Sequence, residues 1–280
     1  MNPVYLAICA IVRNEAPYIG EWIEFHRLVG IQRFYLVDDG STDGTADEIR
    51  WHDREDIVLQ RYRHDDSFRC PEDVPFRATH QVLAFNRFIQ ERKDEAVWCA
   101  FIDVDEFLYH VEKDDIRDPL FEEIESRGAA GLFVNWLIFG SNGHRTKPPG
   151  PTIAAYTRRG HLGAPEPTGR HGKLIARLDA LAHFGAYGSH NATFRQGHAI
   201  NETGRAVRGP TNPEPSVNRW RVNHYYHRSS AEARARVRAV DNNCVPGYAK
   251  TRARLRRHDL NDVDDREILR FLPRLMEVTA

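Results

Sequence analysis

Two carboxylates two residues apart, Asp103 and Asp105, close an apolar run over Val97–Ile102. In an extended segment alternate side chains point the same way. Such a pair can hold one hard cation, directly or through water. Mg²⁺ and Mn²⁺ prefer oxygen ligands and leave room for substrate phosphate oxygens. A metal placed there would neutralise charge on a departing diphosphate. Two further polar clusters follow apolar runs: Arg13-Asn14-Glu15 after Val4–Val12, and Asp38-Asp39-Gly40-Ser41 after Phe34–Val37. Each has a plain local explanation as a turn, a helix cap or a carboxylate favoured by a helix dipole. In an open α/β sheet, however, ligands bind outside the carboxyl ends of the strands. The three clusters should therefore meet in one crevice.

The elements that would place them there are readable in the first half. Val4–Val12 is continuously apolar, as expected of a strand covered on both faces. Pro17 suits the first turn of a helix, Trp22, Ile23, Phe25, Leu28 and Val29 recur at helical spacing, and Gly30 suits its end. Phe34–Val37, Ile57–Tyr62 and Val97–Ile102 are predicted strands, and Asp43 is placed to cap the helix carrying Ala46, Ile49 and Arg50. Phe76–Glu91 is predicted helical, with Val82, Leu83, Phe85, Phe88 and Ile89 inward. Strands separated by helices imply a mostly parallel α/β sheet. The second half is less regular. Gly131–Phe139, Lys173–Leu178 and Ala192–Arg195 are predicted strands, Gly140–Arg170 long loops, and Arg205–Ser216 a mobile loop. Ser229-x-x-Glu232 is a capping box opening a last helical region, with Ala233, Val237 and Val240 as its inward stripe.

The 280 residues are 41% hydrophobic and 28% charged, enough to bury a core without disulfides. Lys plus Arg (39) nearly balances Asp plus Glu (40), which argues against a nucleic-acid partner held by bulk charge. The four cysteines form no Cys-x-x-Cys pair and fit a reducing, cytoplasmic setting. No transmembrane helix is expected, and Val4–Val12 lacks the flanks of a signal peptide. A run of nine Lys and Arg against two acids over 228–257 is most simply a solvated helix face. Peripheral contact with the inner face of a membrane, attraction of an acidic glycan acceptor, or help with a diphosphate are its other readings. His-Glu-x-x-His is absent, and so are the glycine-rich phosphate loops of nucleotidyltransferases and dehydrogenases. His26 and His52 are expected to be helix-surface or core residues.

Residues 8–45, ICAIVRNEAPYIGEWIEFHRLVGIQRFYLVDDGSTDGT, resemble the start of GT-A glycosyltransferases of the family 2 and family 92 types. The run AFIDVDEFLY resembles their Asp-x-Asp strand. Trp136 with Phe139-Gly140-Ser141, Lys173 in GKLIARL, and Val222-Asn223-His224-Tyr225-Tyr226 with Ser229 resemble later family 92 signatures.

The resemblance implies one GT-A domain over 1–280. Residues 1–110 would be the nucleotide-binding half, 111–228 the acceptor-side half and 229–280 a C-terminal helical segment. It implies transfer of a sugar from a nucleotide diphosphate sugar, UDP favoured, to a hydroxyl of a glycan or other acceptor, with inversion. Arg13, Asn14 and Glu15 would line the nucleotide pocket with Asp103, and Asp38 or Asp39 would meet base or ribose. Lys173 would point at phosphate as a compact cation. His224 would complete metal coordination with Asp103 and Asp105, and an imidazole ligand favours Mn²⁺ over Mg²⁺. The general base is not fixed. Glu202 and His144 are the weak candidates. A metal-dependent phosphohydrolase or a non-catalytic nucleotide- or glycan-binding module are the alternatives.

Overall fold

A computed structural model describes residues 3–62, 80–166, 169–238 and 252–279. The first half alternates as predicted: β1 Val4–Val12, α1 Ala16–Leu28, β2 Arg33–Asp38, α2 Thr45–Trp51, β3 Ile57–Arg61, α3 His80–Arg92, β4 Ala96–Phe101 and β5 Glu106–His110. Then come α4 Arg117–Pro119, β6 Gly131–Ile138, α5 Thr152–Ala155, β7 Arg158–Arg159, β8 Gly172–Arg177, β9 Leu181–Gly185 and β10 Gly188–Phe194. Short strands β11 Ala199–Ile200 and β12 Ala206–Val207 lead to β13 Trp220–His224. The chain closes with α6 Ser230–Arg238, α7 Arg252–Arg257, β14 Val263–Asp264 and α8 Leu272–Thr279.

β1 is central because its sequence has no polar face. Leu6, Ile8, Ala10 and Val12 enter one core with Trp22, Ile23 and Phe25 of α1. Ala7 and Cys9 enter the other with Val82, Phe85, Phe88 and Ile89 of α3. That period of two across a strand covered on both faces is what the apolar run requires. Leu83 lies between the faces and is only half-buried. Gly30, at φ 100°, accepts the left-handed turn that ends α1. The sheet runs β3-β2-β1-β4-β8-β6, with the first four strands parallel. β8 is antiparallel to both β4 and β6. β13 pairs in parallel with β6 and antiparallel with β5, setting His224 opposite Glu106.

Three expectations change. Gly140–Arg170, expected to be loop, carries α5 and β7. The predicted strand over Ala192–Arg195 begins earlier, at Gly188, as half of a hairpin with β9. Asp103 and Asp105 do not lie in an extended segment: Glu106 N donates to Asp103 O (3.1 Å), closing a turn between β4 and β5. Residues 76–79, Val240 and the rest of 239–251 lie outside the described residues, as do Cys70 and Cys244. Among the described residues no helix is long and apolar enough to cross a membrane.

Candidate functional site

The loops after β1, β2 and β4 do meet at one edge of the sheet. Asp39 N donates to Val12 O (2.9 Å), joining the first two strand ends. Asn14, at φ 55°, accepts the Thr42 amide (2.8 Å) on its side-chain oxygen, and its own amide donates to Ser41 Oγ (3.0 Å). Asp43 accepts the amides of Thr45 (3.1 Å) and Ala16 (3.2 Å), serving the starts of both α2 and α1. Asp38 is buried and accepts the Ser41 amide (2.9 Å), so its carboxylate shapes the turn. Asp39, also buried, faces Arg13 (3.5 Å) and the Nδ1 of His80 (3.1 Å).

The turn 103–106 is fixed from below by Trp22, whose indole Nε1 donates to the carbonyls of Glu106 (2.8 Å) and Asp103 (3.1 Å). From it a network of side chains spreads. Asp103 accepts Gln81 Nε2 on one oxygen and Lys173 Nζ (2.9 Å) on the other. Lys173 Nζ lies 3.5 Å from Glu106, which lies 3.7 Å from His224 Nδ1. His224 Nε2 lies 3.5 Å from Asp105, and Asp105 also faces Arg236 (3.3 Å). Arg228, at φ 52°, spans from the Tyr18 ring (3.6 Å) to Glu15 (2.8 Å). Since His80 and Gln81 are neighbours, the contacts from Arg13 and Asp39 to Asp105 form one continuous polar edge.

The electrostatics follow from burial and sign. Burial alone would raise the Asp105 carboxyl, but His224, Arg236 and Arg228 outweigh it and hold the group below the usual carboxylate range. Burial pushes Glu106 well above that range, and Asp103 and Asp105 add to the rise while Lys173 opposes it. Burial disfavours the Lys173 ammonium, yet Asp103 and Glu106 together raise its pKa. Lys173 is thus a fully buried cation, 1% exposed, and not an open strand lysine.

A divalent ion fits part of this edge. Among the described residues no three His, Cys, Asp or Glu groups form a ready-made cage. Asp105 and the Nε2 of His224 supply two suitable donors, and Mg²⁺- or Mn²⁺-type sites commonly take the rest from phosphate and water. Glu106 Oε1 and His224 Nδ1 are both buried without a hydrogen bond and face each other. Asp103, the third expected ligand, accepts Lys173 Nζ and Gln81 Nε2 on its two oxygens.

Other expectations are corrected. Glu202 accepts amides from Asn218 (2.9 Å), Arg219 (3.0 Å) and Trp220 (2.7 Å), at the opposite end of β13 from His224. Through Ser216 Oγ it also holds the end of the loop expected to be mobile, and it is not brought to the edge. His144 bonds through Nε2 to Ala155 O (3.0 Å) and also stands outside the network. The basic segment is not simply a solvated face: Arg228 is buried and Arg236 half-buried, both turned inward. Nothing described supports a membrane contact there. The Ser229–Glu232 capping box forms, with Ser229 N donating to Glu232 (3.2 Å), and Ala233 is buried. His26 is a core residue, its pKa pulled by burial down to about 3.

Sequence reasoning passed over Gln81, His80, and the rings around Trp136. Trp136 stacks on His171 (5.9 Å between centroids), meets His190 (5.0 Å) and packs on His224 (4.4 Å). No spacing signal marked His190; it joins the wall through the pairing of distant strands. A separate surface cavity of about 320 Å³ between β2, β3 and α3 is lined by Tyr35, Arg61, Tyr62, Arg87 and Phe88, and none of the network residues lines it.

The profile of glycosyltransferase family 92 matches residues 2–265, and the chain belongs to that family. A family 92 protein of Oryza sativa subsp. japonica is 29% identical over 176 residues, covering 63% of this chain and 27% of that protein. One of Arabidopsis thaliana is 32% identical over 104 residues, covering 37% of this chain and 16% of that protein. The matched region is thus under a third of either relative's length. Among solved structures, glucosyl-3-phosphoglycerate synthase from Mycobacterium tuberculosis aligns with a TM-score of 0.36 and 17% identity, covering 64% of this chain and 58% of that one. A mannosyltransferase from Pyrobaculum calidifontis aligns with a TM-score of 0.32 and 16% identity, covering 48% and 36%.

Proposed function

We propose that the chain transfers a sugar from a nucleotide diphosphate sugar, UDP favoured, to a hydroxyl of a glycan or other acceptor, with inversion. The observation that carries this reading is the edge itself. A charged carboxylate and an imidazole, Asp105 and His224, stand together, flanked by Lys173, Arg228 and Arg236. Two donors for a divalent ion beside three cations match the charge pattern of a metal-bound diphosphate. Family membership supports the same chemistry.

In this reading Asp105 and His224 hold the ion, and the imidazole favours Mn²⁺ over Mg²⁺. When bound, the ion would neutralise charge on the leaving diphosphate. Lys173, anchored by Asp103 and Glu106, keeps a fixed ammonium at that edge without reorganising. Arg228 and Arg236 are placed to exchange their carboxylate partners for phosphate oxygens. Asp39, set between Arg13 and His80, would accept from base or ribose, with Arg13 and Glu15 beside it. Asn14 and Asp38 shape the loops that present them. A reducing cytoplasmic setting is part of the proposal, and the free, buried Cys9 and Cys99 fit it.

The test is thermal stabilisation by a panel of nucleotide sugars, with and without Mn²⁺, followed by assay of sugar transfer. A ligand that binds the native state raises apparent stability by mass action. A Mn²⁺-dependent shift with a UDP-sugar, and turnover, is the expected result. Stabilisation without turnover would instead mark a binding module. No shift with any nucleotide would overturn the reading.

A further inference from the structure

The family reading leaves the proton of the acceptor hydroxyl without a recipient. We infer that His190 is the general base, its Nε2 facing the site beside the Trp136 ring. The inference rests on the glycosyl-transfer reading above and deepens it.

Three independent features place the ring. First, the hairpin of β9 and β10 is bulged where His190 sits. Gly188 pairs with Gly185 and Ala192 with Phe184, so β10 advances four residues while β9 advances one. A bulge leaves side chains out of the ladder and re-aims them, and bulges recur beside active sites. Asn191 pins this one, donating to the carbonyls of Val207 (3.0 Å) and Gly209 (3.1 Å). Second, the ring's tautomer is set by the backbone. His190 Nδ1 lies 3.2 Å from the Gly172 carbonyl, which only accepts, so Nδ1 carries the proton and Nε2 the lone pair. Gly172 itself admits no side chain, since a Cβ there would stand 2.1 Å from Val134 O. Third, the ring stands on the wall that carries the metal edge: the buried Trp136 packs edge-on against His190, with 5.0 Å between centroids. The other face of this wall is His224, 4.4 Å from Trp136, which ties His190 to the metal edge.

The ring is also in the right protonation state. Burial disfavours the charged imidazole, so the ring rests neutral with its lone pair on Nε2. In the step, the acceptor O–H proton passes to Nε2 as that oxygen bonds to the anomeric carbon. The bond from that carbon to the diphosphate oxygen breaks, its electron pair leaving with the diphosphate. The imidazolium then returns its proton to solvent.

The experiment compares wild type with His190→Gln and His190→Asn. UDP release from UDP-glucose and UDP-galactose is followed with Mn²⁺, using water and methyl galactoside as acceptors, across pH 5 to 9. A positioned base contributes at least about 100-fold. We expect turnover to fall by that factor in both variants and Mn²⁺-dependent UDP affinity by calorimetry to stay level. Turnover within about threefold of wild type in either folded variant overturns the assignment. Nitrogen NMR of the ring gives a second readout independent of turnover. A lone pair on Nε2 supports the assignment, and a protonated Nε2 with a bare Nδ1 overturns it. If wild type neither binds UDP with Mn²⁺ nor releases it, the glycosyl-transfer reading is what fails, and the NMR result still decides the ring's orientation.

Discussion

The two halves of the molecule bring polar side chains to the same edge by different means. In the first, each loop follows a parallel strand and mostly bonds to itself or its neighbour: Asn14 to Thr42, Asp38 to Ser41, Asp43 to Thr45 and Ala16. In the second, antiparallel β8, bulged β10 and the inserted β13 deliver Lys173, His190 and His224 onto partners far away in sequence. The loops of the first half set a shape. The strands of the second half set charge and proton-transfer groups against it. Glu15, Asp103, Asp105 and Glu106 belong to the first half and take partners from the second.

Lys173→Met tests that junction most severely. It strips Asp103 and Glu106 of a buried cation, and breaking a buried pair in this way costs about 3–5 kcal/mol. Urea unfolding should show a loss of that order, whereas one under about 1 kcal/mol would mean the halves are not joined through this charge. Asp105→Ala should lower Mn²⁺-dependent UDP affinity at least about 100-fold by calorimetry with the fold retained, and His224→Ala by less. Unchanged affinity in Asp105→Ala would move the metal elsewhere. Asn14→Ala gives the smallest effect. A left-handed backbone without a glycine or asparagine costs about 1–2 kcal/mol, so stability should fall while UDP affinity stays within about threefold. A large drop in affinity at unchanged stability would transfer chemistry to the first half and erase the contrast.

This asymmetry is also why the first half could be read so fully from sequence. β1 is found over Val4–Val12 as predicted, and β2, β3 and β4 differ by a residue at their ends. Their apolar runs are local signals, and the crevice follows from topology. Asp39 and Asp105 were therefore legible as candidates, whereas Lys173 and His224 entered only through the resemblance to family 92. Their partners were not legible. That Asp103 sits on Lys173, or that Arg228 and Arg236 turn inward, depends on where β8 and α6 dock, which no periodicity records. Glu202 misled because a carboxylate in the acceptor-side half looks the same whether it waits for a substrate or holds three amides. His190 was one of 14 histidines, and only a register shift distinguishes it.

The threading of β8 between β4 and β6, and of β13 beside β5, has a consequence for anyone hoping to recombine relatives. A cassette cut at residue 110 would carry a raw edge along β4, with Trp98 and Phe101 laid bare, and β5 would lose its ladder. Such edges invite pairing with strangers. Swapping specificity between family members is therefore a matter of exchanging single side chains on an intact weave, since no seam runs through the sheet along which it could be unpicked.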